Sequence, residues 1–131
     1  MKLVSAIIKP HKVKDVRAAL AEIGVKGMTV AEVRGTGNQK GATESYRSAT
    51  IQSDFNLREK IDVVVDDTVL DRVIDTIVAA ARSGDLGQGR VGDGKIFVYN
   101  VAEAVRIRTN ERGLDAVESL PTVLAGSKQA A

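Results

Sequence analysis

The sequence contains no cysteine and no tryptophan, and aromatic residues make up only 3% of its 131 residues. Without cysteine the chain forms neither disulfides nor thiolate metal sites, which fits a reducing compartment. With so few aromatic rings, the core must be built from aliphatic and β-branched side chains. The hydrophobic content of 44% and the chain length are enough for one domain with such a core.

An excess of charge of one sign is also absent, because the formal net charge is only +2 and the basic residues are scattered. This balance does not favour a nucleic-acid partner. The apolar run at the N-terminus stops at Lys9 and Pro10, which makes it too short for a signal peptide or a membrane span. We therefore expect a cytoplasmic protein that does not insert directly into lipid.

The hydrophobic pattern predicts two copies of a strand–helix–strand unit. Between the two copies, residues 35–56 have no clear period, and a loop of this length is usually functional or disordered. Asp66 or Asp67 is placed to cap the second helix. The predicted strands and helices are, in chain order, residues 3–8, 11–23, 28–34, 61–65, 68–82 and 95–101.

This element order predicts an α+β fold of the ferredoxin-like, double βαβ type. Right-handed crossovers give a four-stranded antiparallel sheet with two helices on one face. The other face has no helix to cover it, yet the strands are rich in valine and isoleucine on both sides. An open apolar face favours self-association, so we expect a homo-oligomer. The domain is predicted to span residues 1–112. Residues 113–131 are predicted to form a flexible tail with one short helix near 114–120.

Five glycines interrupt residues 83–94, SGDLGQGRVGDG, which lead into Lys95. Glycines let backbone N–H groups approach a ligand closely, and phosphate benefits most from such amides beside an ammonium group. Arg90 adds a second cation. The loop also matches G-x-x-x-x-G-K and G-x-G-x-x-G, but both motifs need a strand before the loop and a helix after it. Here the order is reversed, which leaves a phosphate loop of another topology or a flexible connector.

Several segments together resemble the PII signal-transduction proteins. These are AIIKP at residues 6–10, DVRAALAEIGVKGMTVAEVRGTG at 15–37, QKGATESYR at 39–47 and GDGKIFVYNVAEAVRIRT at 92–109. The resemblance covers about the first 109 residues and implies a homotrimer whose sheets face inward. It also implies a T-loop, at about residues 37–56, that touches partner proteins. Residues 83–94 would be the B-loop, about five residues longer than is usual in the family.

The resemblance further implies that ATP or ADP binds between neighbouring subunits, with Mg²⁺ accompanying ATP. Arg106 and Arg108 would reach the phosphates from the adjoining subunit. The implied nucleotide-binding residues are Gly27, Met28, Thr29, Gly35, Gly37, Asn38, Val64, Gly87, Arg90, Gly92, Asp93, Gly94, Lys95, Arg106 and Arg108.

A second implied site binds 2-oxoglutarate or another small anion. Its residues would be Gln39, Lys40, Gly41 and Arg58, with Gln39 also ligating the metal. The partner would be a membrane transporter, of the ammonium-channel type or another, or a metabolic enzyme, and Tyr46, Arg47 and Ile51 would contact it. The family's modified tyrosine falls at Ile51, so control by ligands is favoured over covalent modification.

These features favour a nucleotide-sensing regulator of nitrogen metabolism. One alternative is a similar sensor in another pathway, such as that of inorganic carbon. A second is a slow ATPase or phosphoryl-transfer enzyme, although no base–nucleophile pair is evident. An RNA-binding module of the same fold would place aromatic side chains such as Phe97 and Tyr99 on the sheet face, but the signature that accompanies them is absent.

Overall fold

The computed structural model describes residues 1–36 and 56–117. They form a four-stranded sheet in the order β2-β3-β1-β4, and neighbouring strands are antiparallel throughout. Both helices lie on one face of this sheet, as predicted. The elements are β1 (Lys2–Ile8), α1 (Val13–Glu22), β2 (Thr29–Gly35), β3 (Asn56–Val65), α2 (Leu70–Ala81) and β4 (Gly94–Asn100).

The core lies between the sheet and the helices and is entirely aliphatic, as the scarcity of aromatic residues predicts. From the strands, alternate residues such as Val4, Ala6 and Ile8 point toward the helices and are buried. From the helices, residues at spacings of three and four, such as Val16 and Leu20, are buried against them. Burial of such side chains is the main stabilising term of the domain.

Short 3₁₀ turns precede both helices, so the helices begin later than the sequence pattern indicates. Pro10 opens the first turn, where its missing N–H costs nothing. Asp66 is the residue that caps the second turn, because its carboxylate accepts a hydrogen bond from the Thr68 amide at 3.1 Å. Helix α1 ends at Glu22, and Gly24, just beyond its C-cap, has a φ of 91°, a left-handed conformation that glycine adopts without strain.

Strand β3 is longer than predicted, because it begins at Asn56 rather than at residue 61. Residues 56–60 are mostly polar, so they give no hydrophobic signal, but they pair with β2 from Gly35↔Asn56 onward. The segment after β4, for which the sequence pattern predicts no element, folds back through an isolated bridge between Val105 and Arg112.

We call this folded-back segment, residues 103–117, the C-terminal hairpin. It ends in a 3₁₀ turn at Gly113–Ala116, which places an ordered turn at the beginning of the predicted flexible tail. The open face of the sheet carries the residues that alternate with the core, among them Leu3, Val64 and Tyr99. Tyr99 is 54% exposed, so the described chain leaves apolar surface uncovered on this face.

Candidate functional site

One cleft lies on the open face of the sheet and extends to the C-terminal hairpin. It has a volume of about 690 Å³, and we call it the Arg106 cleft. Strands β1, β2 and β3 supply its floor, and the hairpin supplies one wall. Five predicted nucleotide-binding residues line it together, namely Gly27, Met28, Thr29, Val64 and Arg106.

Asp62 also lines the Arg106 cleft, and the sequence analysis missed it. Its Oδ2 lies 3.6 Å from Lys60 Nζ. Its Oδ1 is buried, and within the described residues it has no hydrogen-bond partner. A buried carboxylate oxygen without a partner is costly, so this atom is suited to accept a hydrogen bond from a ligand. The available signal was the single acidic residue within the apolar run IDVVV.

A second cleft of about 370 Å³ lies at the other end of the open face, and we call it the Lys95 cleft. It brings together residues from the ends of all four strands and from the glycine-rich loop. Five predicted residues line it, namely Gly35, Arg58, Gly92, Gly94 and Lys95. With two cations and exposed backbone near glycine, this cleft is suited to an anion.

The two clefts divide the predicted nucleotide site into separate halves on one protomer. On strand β1, Leu3 lines the Arg106 cleft and Ile7 lines the Lys95 cleft. Four residues of strand separate these positions by about 13 Å. The Arg106 cleft and the Lys95 cleft therefore lie at opposite ends of the sheet.

Hydrogen bonds within the first half of the glycine-rich loop hold it in shape. The Gly87 amide donates to the Gly84 carbonyl at 3.1 Å, and the Gly89 amide donates to the Ser83 carbonyl at 2.9 Å. The Leu86 amide donates to the side chain of Gln88. We call residues 84–89 the closed lobe, because the amides of Leu86, Gly87 and Gly89 are engaged within the loop and its tip, Leu86, is 92% exposed.

Asp93 fastens the ends of this lobe to the rest of the domain. Its carboxylate accepts hydrogen bonds from the Ser83 amide at 3.0 Å, the Arg90 amide at 2.8 Å and the Ser83 hydroxyl. Lys9 Nζ, at the end of β1, lies 3.1 Å from the same carboxylate. Partial burial would by itself raise the pKa of Asp93, but the hydrogen bonds from Ser83, Arg90 and Lys9 outweigh it and hold the pKa well below its ordinary value.

Other predicted residues lie apart from both clefts. Asp93 is turned to the contacts just described, and Gly87 is within the closed lobe. Arg90 is exposed and lies 3.8 Å from Asp85. Arg108 is exposed in the turn of the C-terminal hairpin.

The predicted residues of the long loop lie outside the described residues. They are Gly37, Asn38, Gln39, Lys40, Gly41, Tyr46, Arg47 and Ile51. The proposed metal ligand Gln39 is among them, and residues 1–36 and 56–117 contain no acidic or histidine cluster that could hold a metal ion. Within those ranges neither helix is long and apolar enough to cross a membrane.

The sheet order and the one-sided helix layer define the ferredoxin-like class of α+β protein. The family model described as nitrogen regulatory protein P-II matches residues 1–111. Nitrogen regulatory protein P-II 1 of Escherichia coli is 53% identical over 111 residues, covering 85% of this chain and 95% of that protein. Nitrogen regulatory protein P-II of Rhodospirillum rubrum is 51% identical over 117 residues, covering 89% and 100%.

A solved structure agrees with the sequence matches. The crystal structure of Arabidopsis thaliana PII bound to citrate has a TM-score of 0.71 and 35% sequence identity, and the match covers 89% of each chain. The chain belongs to the P-II family of nitrogen regulatory proteins. It is therefore a regulator in nitrogen metabolism and not an enzyme, which confirms the predicted family.

Proposed function

We propose that the protein senses adenine nucleotides, and that it binds ATP or ADP at the boundary between neighbouring subunits of a homotrimer. The observation that carries this proposal is the division of the predicted nucleotide-binding residues between two distant clefts on the open face. A protomer alone offers two half-sites. A neighbour that packs its own open face alongside would bring the Arg106 cleft of one chain to the Lys95 cleft of the other.

The Arg106 cleft is suited to the base and the ribose. Met28 and Val64 supply apolar surface for a planar base, and the unpaired Oδ1 of Asp62 is suited to accept from a ribose hydroxyl. Arg106 would reach across the boundary toward the phosphates. Arginine suits this task because its guanidinium can make two parallel hydrogen bonds to phosphate oxygens.

The Lys95 cleft is suited to the phosphates. Lys95 pairs with Ile7 in the sheet, so its backbone is fixed, and the side chain carries a charge at the mouth of the glycine-rich loop. Because the closed lobe uses its own amides, phosphate contact would shift to the second half of the loop, at Gly92 and Gly94. Asp93 would act by holding this half in place.

We further propose that a small anion, 2-oxoglutarate or a related carboxylate, binds with Mg²⁺ and ATP, and that the long loop then controls a transporter or a metabolic enzyme. Arg58 lies in the Lys95 cleft, where it could meet such an anion. The Arabidopsis relative was crystallised with citrate, itself a small carboxylate. The protein would act in the cytoplasm and reach the membrane through a transporter.

Titration calorimetry with ATP and with ADP tests the nucleotide site directly. Lys95→Ala should weaken ATP binding about 10- to 100-fold, because a hydrogen bond to a charged group contributes roughly 1.5–3 kcal/mol. Lys14→Ala is the matched control, since Lys14 is an exposed lysine on α1, in the helix layer on the other side of the sheet. Absence of ATP and ADP binding to the wild-type protein at millimolar concentration would refute the proposal.

A further inference from the structure

The guanidinium of Arg106 is held by hydrogen bonds to two residues of the C-terminal hairpin. Arg106 Nε donates to Oε1 of Glu111 at 3.0 Å. Arg106 Nη2 makes a longer hydrogen bond of 3.4 Å to the carbonyl of Asp115, in the 3₁₀ turn. Within residues 1–36 and 56–117, these contacts use two of the five N–H groups of the guanidinium and leave the edge with Nη1 and Nη2 for a ligand.

Glu111 is itself held in place. Its Oε1 also accepts from the Thr109 hydroxyl at 2.7 Å, and its carbonyl accepts from the Arg106 amide at 2.9 Å. A second ion pair in the same hairpin, Arg112 with Glu103, is 3.5 Å long. Of these two arginines, only Arg106 lines the cleft.

We propose that Glu111 is a positioning residue for nucleotide binding: it fixes the guanidinium of Arg106 so that its free edge faces the phosphates. This inference rests on the nucleotide site proposed above and adds the carboxylate that orients one of its cations. Long side chains lose rotamer entropy when they bind, and an arginine already held in its binding orientation loses less of it.

Charge alone predicts the opposite effect. A carboxylate near the site repels the phosphates. If Glu111 acted only through this electrostatic repulsion, its removal should strengthen nucleotide binding. If Glu111 positions Arg106, its removal should weaken binding despite the lost repulsion. The sign of the change therefore separates the two roles.

The experiment compares Glu111→Ala, Glu111→Gln and Glu103→Ala in the full-length chain by titration calorimetry with ATP and with adenosine. We expect Glu111→Ala to weaken ATP binding about 3- to 10-fold, the equivalent of one immobilised long side chain. Glu111→Gln keeps an oxygen acceptor for Arg106 Nε and should restore much of the affinity. Glu103→Ala removes the same charge from the same hairpin and should not weaken ATP binding.

Adenosine supplies the readout that a general loss of structure would not mimic. Because Arg106 acts on phosphate, adenosine affinity should be the same in all four proteins. Unchanged or tighter ATP binding by Glu111→Ala, or equal losses for ATP and adenosine, would overturn the positioning role. If the wild-type protein bound no ATP, both the proposed nucleotide site and the positioning role of Glu111 would be refuted. If only the Glu111 predictions failed, the proposed nucleotide site would still stand.

Discussion

At the scale of single residues, the contacts of Asp93 change the interpretation of a motif. The sequence GDGK places Asp93 among residues that would hold phosphate, but its carboxylate accepts from Ser83, Arg90 and Lys9. A phosphate is also a poor neighbour for a carboxylate unless cations lie between them. In the proposed site, Asp93 would therefore act on the ligand through the loop geometry. The sequence could identify Asp93 but not the direction in which its side chain points, because that direction depends on Lys9, which is distant in the chain.

Asp93→Asn should lower the free energy of unfolding at pH 7 by about 2–3 kcal/mol, because charge-assisted hydrogen bonds are lost and Lys9 keeps an uncompensated charge. The folded-state pKa of Asp93 is lowered, so its stabilising effect is complete above the unfolded-state pKa near 4 and declines as the pH falls below it. Urea unfolding of both proteins should thus show a difference at pH 7 that narrows toward pH 3. A difference that is constant with pH would contradict this account.

At the scale of elements, the strands and helices of the core were predictable and their polar extensions were not. A short apolar run that ends before a proline, as in β1, is a hydrophobic signal that predicts a buried strand. The first half of β3 and the C-terminal hairpin are held by pairing and by polar contacts between residues of little hydrophobicity. Such pairing leaves no periodic signal, which is why the sequence pattern predicts β3 only from residue 61 and does not predict the C-terminal hairpin.

The start of β4 depends on a glycine. Gly94 has a φ of 119°, and a Cβ atom there would lie 1.8 Å from the carbonyl oxygen of Ile7 on β1. Gly94→Ala should therefore destabilise the domain by about 3 kcal/mol or more, because backbone strain and overpacking add. Gly87→Ala is the control, since Gly87 also has positive φ but open space around it, and about 1 kcal/mol is expected there. Thermal unfolding of the two variants gives the comparison, and equal losses would contradict the close contact.

At the scale of the whole molecule, the open face of the sheet carries both an uncovered apolar surface and the two clefts. The sequence predicted both the uncovered face and the residues of the site, the latter through the resemblance to PII proteins. It could not predict that the residues separate into two clefts, because this depends on the register that places Leu3 and Ile7 at opposite ends of β1. In the proposed site each of the two clefts supplies one half, so a single protomer would be incomplete.

Tyr99→Asp should convert the proposed trimer to monomers, since a carboxylate would be buried without a partner on the open face. Nucleotide affinity should fall in the same variant, because each site needs two protomers. Ile107→Asp introduces the same charge at an apolar residue that is 98% exposed in the hairpin, and it should leave assembly unchanged. Sedimentation velocity measures the assembly state of both variants, and titration calorimetry measures the nucleotide affinity of Tyr99→Asp. A monomeric wild-type protein would contradict the trimer.

The closed lobe has one more consequence. Asp93 and the Ser83–Gly89 hydrogen bond join the two ends of the lobe. The number of residues in the lobe can therefore change without moving the backbone around Lys95. Evolution can add or delete residues there without disturbing the neighbouring cation. The same place would accept an inserted reporter peptide.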